Sequence, residues 1–212
     1  MNQLLTDSFT RVPIIGILRG YSRDETNGIL DAYGSAGLSA IEITLNTPDA
    51  LEIINEQVAR YGAKLKIGAG TVCSLKDLEN ALDAGAGFIV TPILDISVIQ
   101  RCNEVGVPVF PGAFTPTEIF RAWEAGASMV KIFPAGQLGP GYIKQLKAPL
   151  DSIKLLPTGG IGLDNMGAYL QAGASGFGLG SSLFKQQFID AKDWTGLQRH
   201  FEKFVSVFNS SH

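Results

Sequence analysis

The sequence predicts an α/β protein built as a (β/α)8 TIM barrel, and three observations carry that prediction. Short β-rich runs alternate with helical patterns from end to end of the chain. The dipeptide Ala-Gly recurs at 36–37, 84–85, 125–126 and 172–173, every 41–48 residues. Gly-rich turns follow the last two predicted strands. Alternation at this pitch implies a parallel sheet with crossover helices. Each Ala-Gly ends a helical stretch, where Gly supplies the left-handed cap that turns the chain back into the sheet. One repeat therefore holds two strand–helix units, and four repeats give the eight parallel strands that close a barrel.

Strands are expected at 14–18, 40–45, 66–70, 88–91, 107–110, 129–133, 154–158 and 176–179. Helix starts are signalled by Thr47-Pro48, by Ser74-Leu75-Lys76-Asp77 and, most fully, by Thr115-Pro116-Thr117-Glu118. Each pairs a capping hydroxyl with Pro or an acid in the first turn. An amphipathic helix over 194–208 ends the chain, and another over 2–10 is expected to plug the N-terminal end of the barrel. The competing architecture, a doubly wound open sheet, normally carries G-x-G-x-x-G after its first strand. Here that turn reads Leu18-Arg19-Gly20-Tyr21. No Pro/Ser-rich linker divides the chain, so residues 1–212 are expected to form a single domain with extra terminal helices.

Composition narrows the chemistry. A net charge of −3 argues against a nucleic-acid partner held on a broad basic surface. No apolar run approaches the roughly 20 residues that span a bilayer. Residues 1–10 lack the basic region and apolar core of a signal peptide, so a cytoplasmic location is expected. Cys73 and Cys102 fit no metal spacing. The two histidines, His200 and His212, lie at the C-terminus, which leaves little from which to build a Ser-His-Asp hydrolase or a His-ligated zinc site. No metal or cofactor is expected, and the chemistry falls to Lys, Glu, hydroxyls and backbone.

Lys131 lies in Met129-Val130-Lys131-Ile132-Phe133-Pro134, among residues that favour burial. Burying an unpaired ammonium costs several kcal/mol, so the amine tends to lose its proton. A neutral lysine amine is a nucleophile toward ketones. Alternation along the strand puts Lys131 on the face opposite Val130 and Ile132, toward the barrel interior. The same parity turns Glu42 and Thr44 inward, between Ile41 and Ile43. Glu42 and Lys131 then enter the barrel together, either as a catalytic pair or as a buried ion pair. An ion pair gives little net stability over apolar packing, which favours the catalytic reading.

Pro157-Thr158-Gly159-Gly160-Ile161 follows the seventh strand, and Gly178-Leu179-Gly180-Ser181-Ser182 the eighth. In barrels these two loops recurrently bind phosphate through backbone N–H groups. Arg19, Asn46, Thr71 and Pro92 also lie at C-terminal strand ends. Arg19 suits a substrate carboxylate, Asn46 and Thr71 add hydrogen bonds, and Pro92 and Phe133 supply apolar walls.

Taken together, Ile41-Glu42-Ile43-Thr44-Leu45, Gly68-Ala69-Gly70-Thr71-Val72, Val130-Lys131-Ile132-Phe133-Pro134, Pro157-Thr158-Gly159-Gly160 and Gly180-Ser181 resemble the class I aldolases that cleave 2-keto-3-deoxy-6-phosphogluconate (KDPG) and 4-hydroxy-2-oxoglutarate (KHG). The resemblance implies a Schiff base on Lys131 and general acid/base work by Glu42. It implies phosphate on Gly159, Gly160 and Ser181, beside Gly180 of the same Gly-rich turn, with the pyruvyl end against Thr71, Pro92 and Phe133. It also implies a homotrimer, no metal, and a phosphorylated 2-keto acid cleaved to pyruvate and glyceraldehyde 3-phosphate. Asn46 stands where many gluconate-type enzymes have Arg, as in galactonate-pathway relatives. Thr158 resembles the gluconate type, where galactonate enzymes tend to have an aliphatic residue. The sequence reading takes the gluconate substrate, with the galactonate epimer as its alternative. A phosphosugar isomerase or epimerase, or a non-catalytic phosphometabolite-binding barrel, would use the same phosphate loops without a covalent lysine.

Overall fold

Nine short strands appear in the computed structural model, which describes residues 7–62 and 64–210. They are β1 (Ile14–Leu18), β2 (Ala40–Thr44), β3 (Lys66–Gly70), β4 (Ile89–Val90), β5 (Val109–Phe110), β6 (Gly112–Ala113), β7 (Val130–Ile132), β8 (Leu155–Pro157) and β9 (Phe177–Leu179). Every pairing is parallel, in the orders β5-β4-β3-β2-β1-β9 and β6-β7-β8. The two sheets are halves of one ring. β5 and β6 form one stave interrupted at Pro111, and a bridge from Thr158 to Gly178 joins the end of β8 to β9. Eight staves therefore close the barrel, and the pairing of β1 with β9 excludes the open sheet.

The helices are α1 (Asp7–Arg11), α2 (Arg23–Ser35), α3 (Ala50–Tyr61), α4 (Leu75–Asp83), α5 (Ile96–Glu104), α6 (Pro116–Glu124), α7 (Gly139–Lys147), α8 (Met166–Gln171), α9 (Gln186–Asp190) and α10 (Trp194–Ser210). The capping signals act as expected at α4, where Ser74 accepts from Asp77 N–H, and at α6, where Thr115 and Glu118 complete a capping box. The four Ala-Gly glycines all hold positive φ, from 85° to 99°. Among the described residues no helix is long and apolar enough to cross a membrane.

Strand parity splits the core in two. Ile14, Ile41, Ile43, Ile67, Val130 and Ile132 face outward into the large cluster beneath the helices. Ile15, Ala40, Phe88, Val90, Phe110, Met129 and Leu156 fill the barrel interior, joined by Phe9 from α1. Phe9 meets Phe110 edge-on at 6.0 Å, closing the end at which the strands begin. The plugging helix is thus seen from Asp7 onward; the earlier part of the expected 2–10 segment lies outside the described residues.

Two local expectations need correction. The fifth strand, expected at 107–110, instead starts at Val109 and continues past Pro111 to Ala113. Pro111 has no N–H to donate, yet its carbonyl accepts from Lys131 N–H at 2.9 Å and keeps the stave in register. Thr47 does not cap α3. Asp49 holds the cap position at φ 55° with no side-chain cap bond, and the Thr47 hydroxyl is used across the barrel mouth instead.

Candidate active site

Lys131 comes from the centre of β7 and is 6% exposed; Glu42, from the centre of β2, is 1% exposed. Both point inward above the apolar plug, as their parity requires. Burial pushes the Lys131 amine below the usual lysine range, against a partial pull upward from the Glu42 carboxylate. Burial likewise raises the Glu42 carboxyl, against the opposing influence of Lys131 and Arg19. Each charge supports the other, but desolvation wins for both.

The two do not close a structural ion pair. The ion pairs among the described residues are surface ones, Arg23 with Asp49 and Glu56, and Arg101 with Glu79 and Glu104. Glu42 Oε2 is buried and has no hydrogen-bond partner among the described residues. A buried carboxylate oxygen left without a partner is costly unless a reacting group uses it. Space for the carboxylate is made by Gly70 on the neighbouring strand, where a Cβ would collide with Glu42 Oε1. The amine of Lys131 lies 5.0 Å from the centroid of the Phe133 ring, which forms an apolar wall beside it.

Around this pair the rim residues follow from the topology. Thr71, directly after β3, is half-buried and held at φ 60°. A β-branched residue there costs about 1–2 kcal/mol, the kind of strain that collects at ligand sites. Pro92 follows β4 and packs its backbone against Gly112, the residue paired with Lys131 across the β6–β7 ladder. Asn46 is exposed just beyond β2. Thr47 accepts from Gly20 N–H at 3.0 Å and meets the buried Thr44 hydroxyl at 3.2 Å, tying the turn after β1, which carries Arg19, to the end of β2.

A second group of the expected residues meets in a cleft of about 530 Å³ at the C-terminal ends of β8 and β9. Arg19, Phe133, Thr158, Gly159, Gly160, Gly180 and Ser181 all line it. Gly159 and Gly160 stand at φ 85° and 77°, a conformation L side chains avoid. The backbone N–H groups of Gly160, Ile161, Gly180, Ser181 and Ser182 make no hydrogen bond among the described residues. Free amides converging at strand ends form an anion cradle. The cleft does not include Asn46, Thr71 or Pro92, which lie on β2–β4 nearer the Glu42 side, nor Lys131 and Glu42 beneath the mouth. The site thus has a floor formed by the buried Lys131 and Glu42 and a separate wall of unpaired amides, with Phe133 between them.

The cleft also uses residues the sequence reading did not assign, notably Ile17, Tyr21, Ser182 and Asn165. Tyr21 and Ser182 are each within two positions of an assigned residue, so strand-end position alone would have found them. Asn165 carries no such signal. Among the described residues no cluster of three or more His, Cys, Asp or Glu side chains forms a metal site.

Fold and site together define a class: a (β/α)8 barrel with an inward lysine and glutamate below a mouth lined by unpaired backbone amides. The chain belongs to the KDPG and KHG aldolase family, whose model matches residues 5–200, and is therefore an aldolase, a carbon–carbon lyase. It is 43% identical over 83% of its length to 2-dehydro-3-deoxy-6-phosphogalactonate aldolase of Escherichia coli K12, covering 86% of that protein. To 2-dehydro-3-deoxy-phosphogluconate aldolase of Treponema pallidum it is 34% identical, over 77% of this chain and 78% of the other. A solved structure described as native KDPGal superposes with a TM-score of 0.88 at 38% identity, over 95% of this chain and 97% of that one.

Proposed function

We propose that this aldolase cleaves 2-dehydro-3-deoxy-6-phosphogalactonate to pyruvate and glyceraldehyde 3-phosphate through a Schiff base on Lys131. The observation that carries the reading is a buried lysine, held toward its neutral form and free of a structural ion pair, below a cradle of unpaired amides. In this mechanism the neutral amine adds to the C2 ketone, and loss of water gives an iminium. Glu42, directly or through a water, takes the C4 hydroxyl proton as the C3–C4 bond breaks. The bonding pair flows into the iminium and leaves an enamine while the aldehyde departs. Glu42 then returns a proton to C3, and hydrolysis of the pyruvyl iminium releases pyruvate and Lys131. Gly159, Gly160, Gly180 and Ser181 hold the phosphate, whose binding energy positions the reacting bond. Arg19, Asn46, Thr71, Pro92 and Thr158 complete the substrate contacts, with Phe133 as a wall.

Three features support the galactonate epimer over the gluconate one that the sequence reading took. Identity to the galactonate enzyme exceeds that to the gluconate enzyme, 43% against 34%. Asn46 stands free at the rim in place of a cation. Thr158 is 2% exposed and donates its hydroxyl to Leu156 O at 3.2 Å, so it meets the cleft as a short aliphatic wall would. The test is kcat/KM for the two 6-phosphate epimers. The galactonate epimer is expected to lead by about tenfold or more, the scale of a changed pocket contact. A ratio favouring gluconate would overturn the choice of epimer and leave the Schiff-base reading standing.

We also propose a homotrimer. Leu75, Ile93, Phe114 and Phe120, each 41–50% exposed, come from consecutive barrel units between α4 and α6. Apolar surface concentrated in one sector fits a subunit contact. Light scattering at micromolar concentration is expected to return three times the chain mass, and a monomer there would contradict the assembly.

A further inference from the structure

One side of the cradle is a loop with no regular structure of its own. Residues 159–162 leave the end of β8, and two of them stand at positive φ. Three positions on, Asn165 precedes α8 but gives that helix no side-chain cap. Its carboxamide turns back to the loop instead. Oδ1 accepts from Gly162 N–H at 2.9 Å, and Nδ2 donates to Gly160 O at 2.9 Å. The backbone N–H groups of Asn165 and Met166 return to Gly162 O at 3.3 and 2.9 Å. On the other side, Gly136 N–H donates to Gly159 O and Ala135 N–H to Thr158 O, both at 2.8 Å.

These bonds are selective. They engage the carbonyls of residues 158–160 and 162 and one N–H, that of Gly162. The N–H groups of Gly160 and Ile161 stay unpaired on the cleft wall. A carboxamide presents a donor and an acceptor on one plane without charge, so one short side chain can hold both ends of so tight a loop. Charge neutrality matters here, because Asp164 already places a carboxylate on the same cleft. With Arg19 as the one cationic side chain in the lining, an anion held there depends on well-set amides.

We infer that Asn165 is a positioning residue of the anion cradle: its carboxamide sets the loop 159–162 so that the amides of Gly160 and Ile161 face the phosphate of the substrate. This rests on reading the cleft as the phosphate site. It predicts that losing the carboxamide weakens phosphate binding and leaves the lysine chemistry comparatively intact.

The experiment measures KM and kcat for the 6-phosphate substrate, and competitive inhibition by inorganic phosphate, in wild type, Asn165→Ala and Asn165→Asp. Asn165→Ala is expected to raise KM and the phosphate inhibition constant together by about tenfold or more, with kcat changed less than about threefold. Asn165→Asp is isosteric, keeps the acceptor for Gly162 N–H, loses the donor to Gly160 O and adds a charge beside the anion. It is expected to fold as wild type does and to raise the phosphate inhibition constant as well, which keeps the test open if the alanine variant fails to fold. A phosphate inhibition constant unchanged in a folded variant, or a loss confined to kcat, would overturn the role of Asn165. If phosphate does not inhibit the wild type and Ser181→Ala leaves KM for the 6-phosphate unchanged, the reading of the cleft itself is wrong, and the inference falls with it.

Discussion

Lys131→Met is expected to reduce retro-aldol turnover by about 10⁵-fold or more while the barrel still folds. Met follows the lysine stem as far as its last carbon and suits the apolar residues around position 131, so the loss isolates the amine rather than the packing. The substitution should also remove a cost to stability. Burial holds the folded-state lysine below its ordinary range, so the unfolded chain binds a proton that the folded chain gives up. The penalty is absent above the unfolded lysine value and grows as pH falls through the window between the two values. At neutral pH the Met variant should therefore melt no lower than wild type, as measured by thermal denaturation monitored by circular dichroism. Turnover within tenfold of wild type would remove Lys131 from the chemistry.

The second large effect is at Glu42. Glu42→Gln should slow turnover by about 10²–10⁴-fold, the usual contribution of a positioned acid/base, yet still form an iminium with pyruvate. The lysine should also respond in a definite direction. The Glu42 carboxylate raises the proton affinity of Lys131, so its neutralisation lets the amine fall further. Iminium formation in Glu42→Gln should consequently reach its plateau at lower pH than in wild type. Stopped-flow measurement of adduct formation against pH checks both halves. An unchanged turnover rate, or a plateau moved to higher pH, would show that Glu42 does not act on this lysine or on the substrate.

How much of this was legible in the sequence depends on the range of the contacts involved. Parity around Val130-Lys131-Ile132 and Ile41-Glu42-Ile43 needs only alternation of side chains along a strand, and both residues face inward as expected. The glycines after β8 announce their loop because few other residues tolerate φ near 80°. Thr47 resembled a helix cap because Pro follows it; its actual partner, Gly20 N–H, lies 27 residues away and has no local signature. The stave that runs through Pro111 was cut short for a related reason. Proline ends a strand by local rules, whereas here its carbonyl is held by Lys131 N–H from the next stave. Asn165 looks like any polar residue at a helix start until the loop it closes is seen in three dimensions. The choice between epimers is harder still, since Asn46 and Thr158 point in opposite directions in the sequence, and the proposed galactonate reading draws on the Thr158 hydroxyl bonding back to Leu156 O.

The central claim is a covalent bond between Lys131 and the substrate ketone. It is tested most directly by incubating the protein with pyruvate and borohydride, then measuring intact mass and mapping the modified peptide. The account predicts one reduced pyruvyl adduct per chain, on Lys131, and none in Lys131→Met. Folded wild-type protein that gains no adduct, or gains it on another lysine, would contradict it.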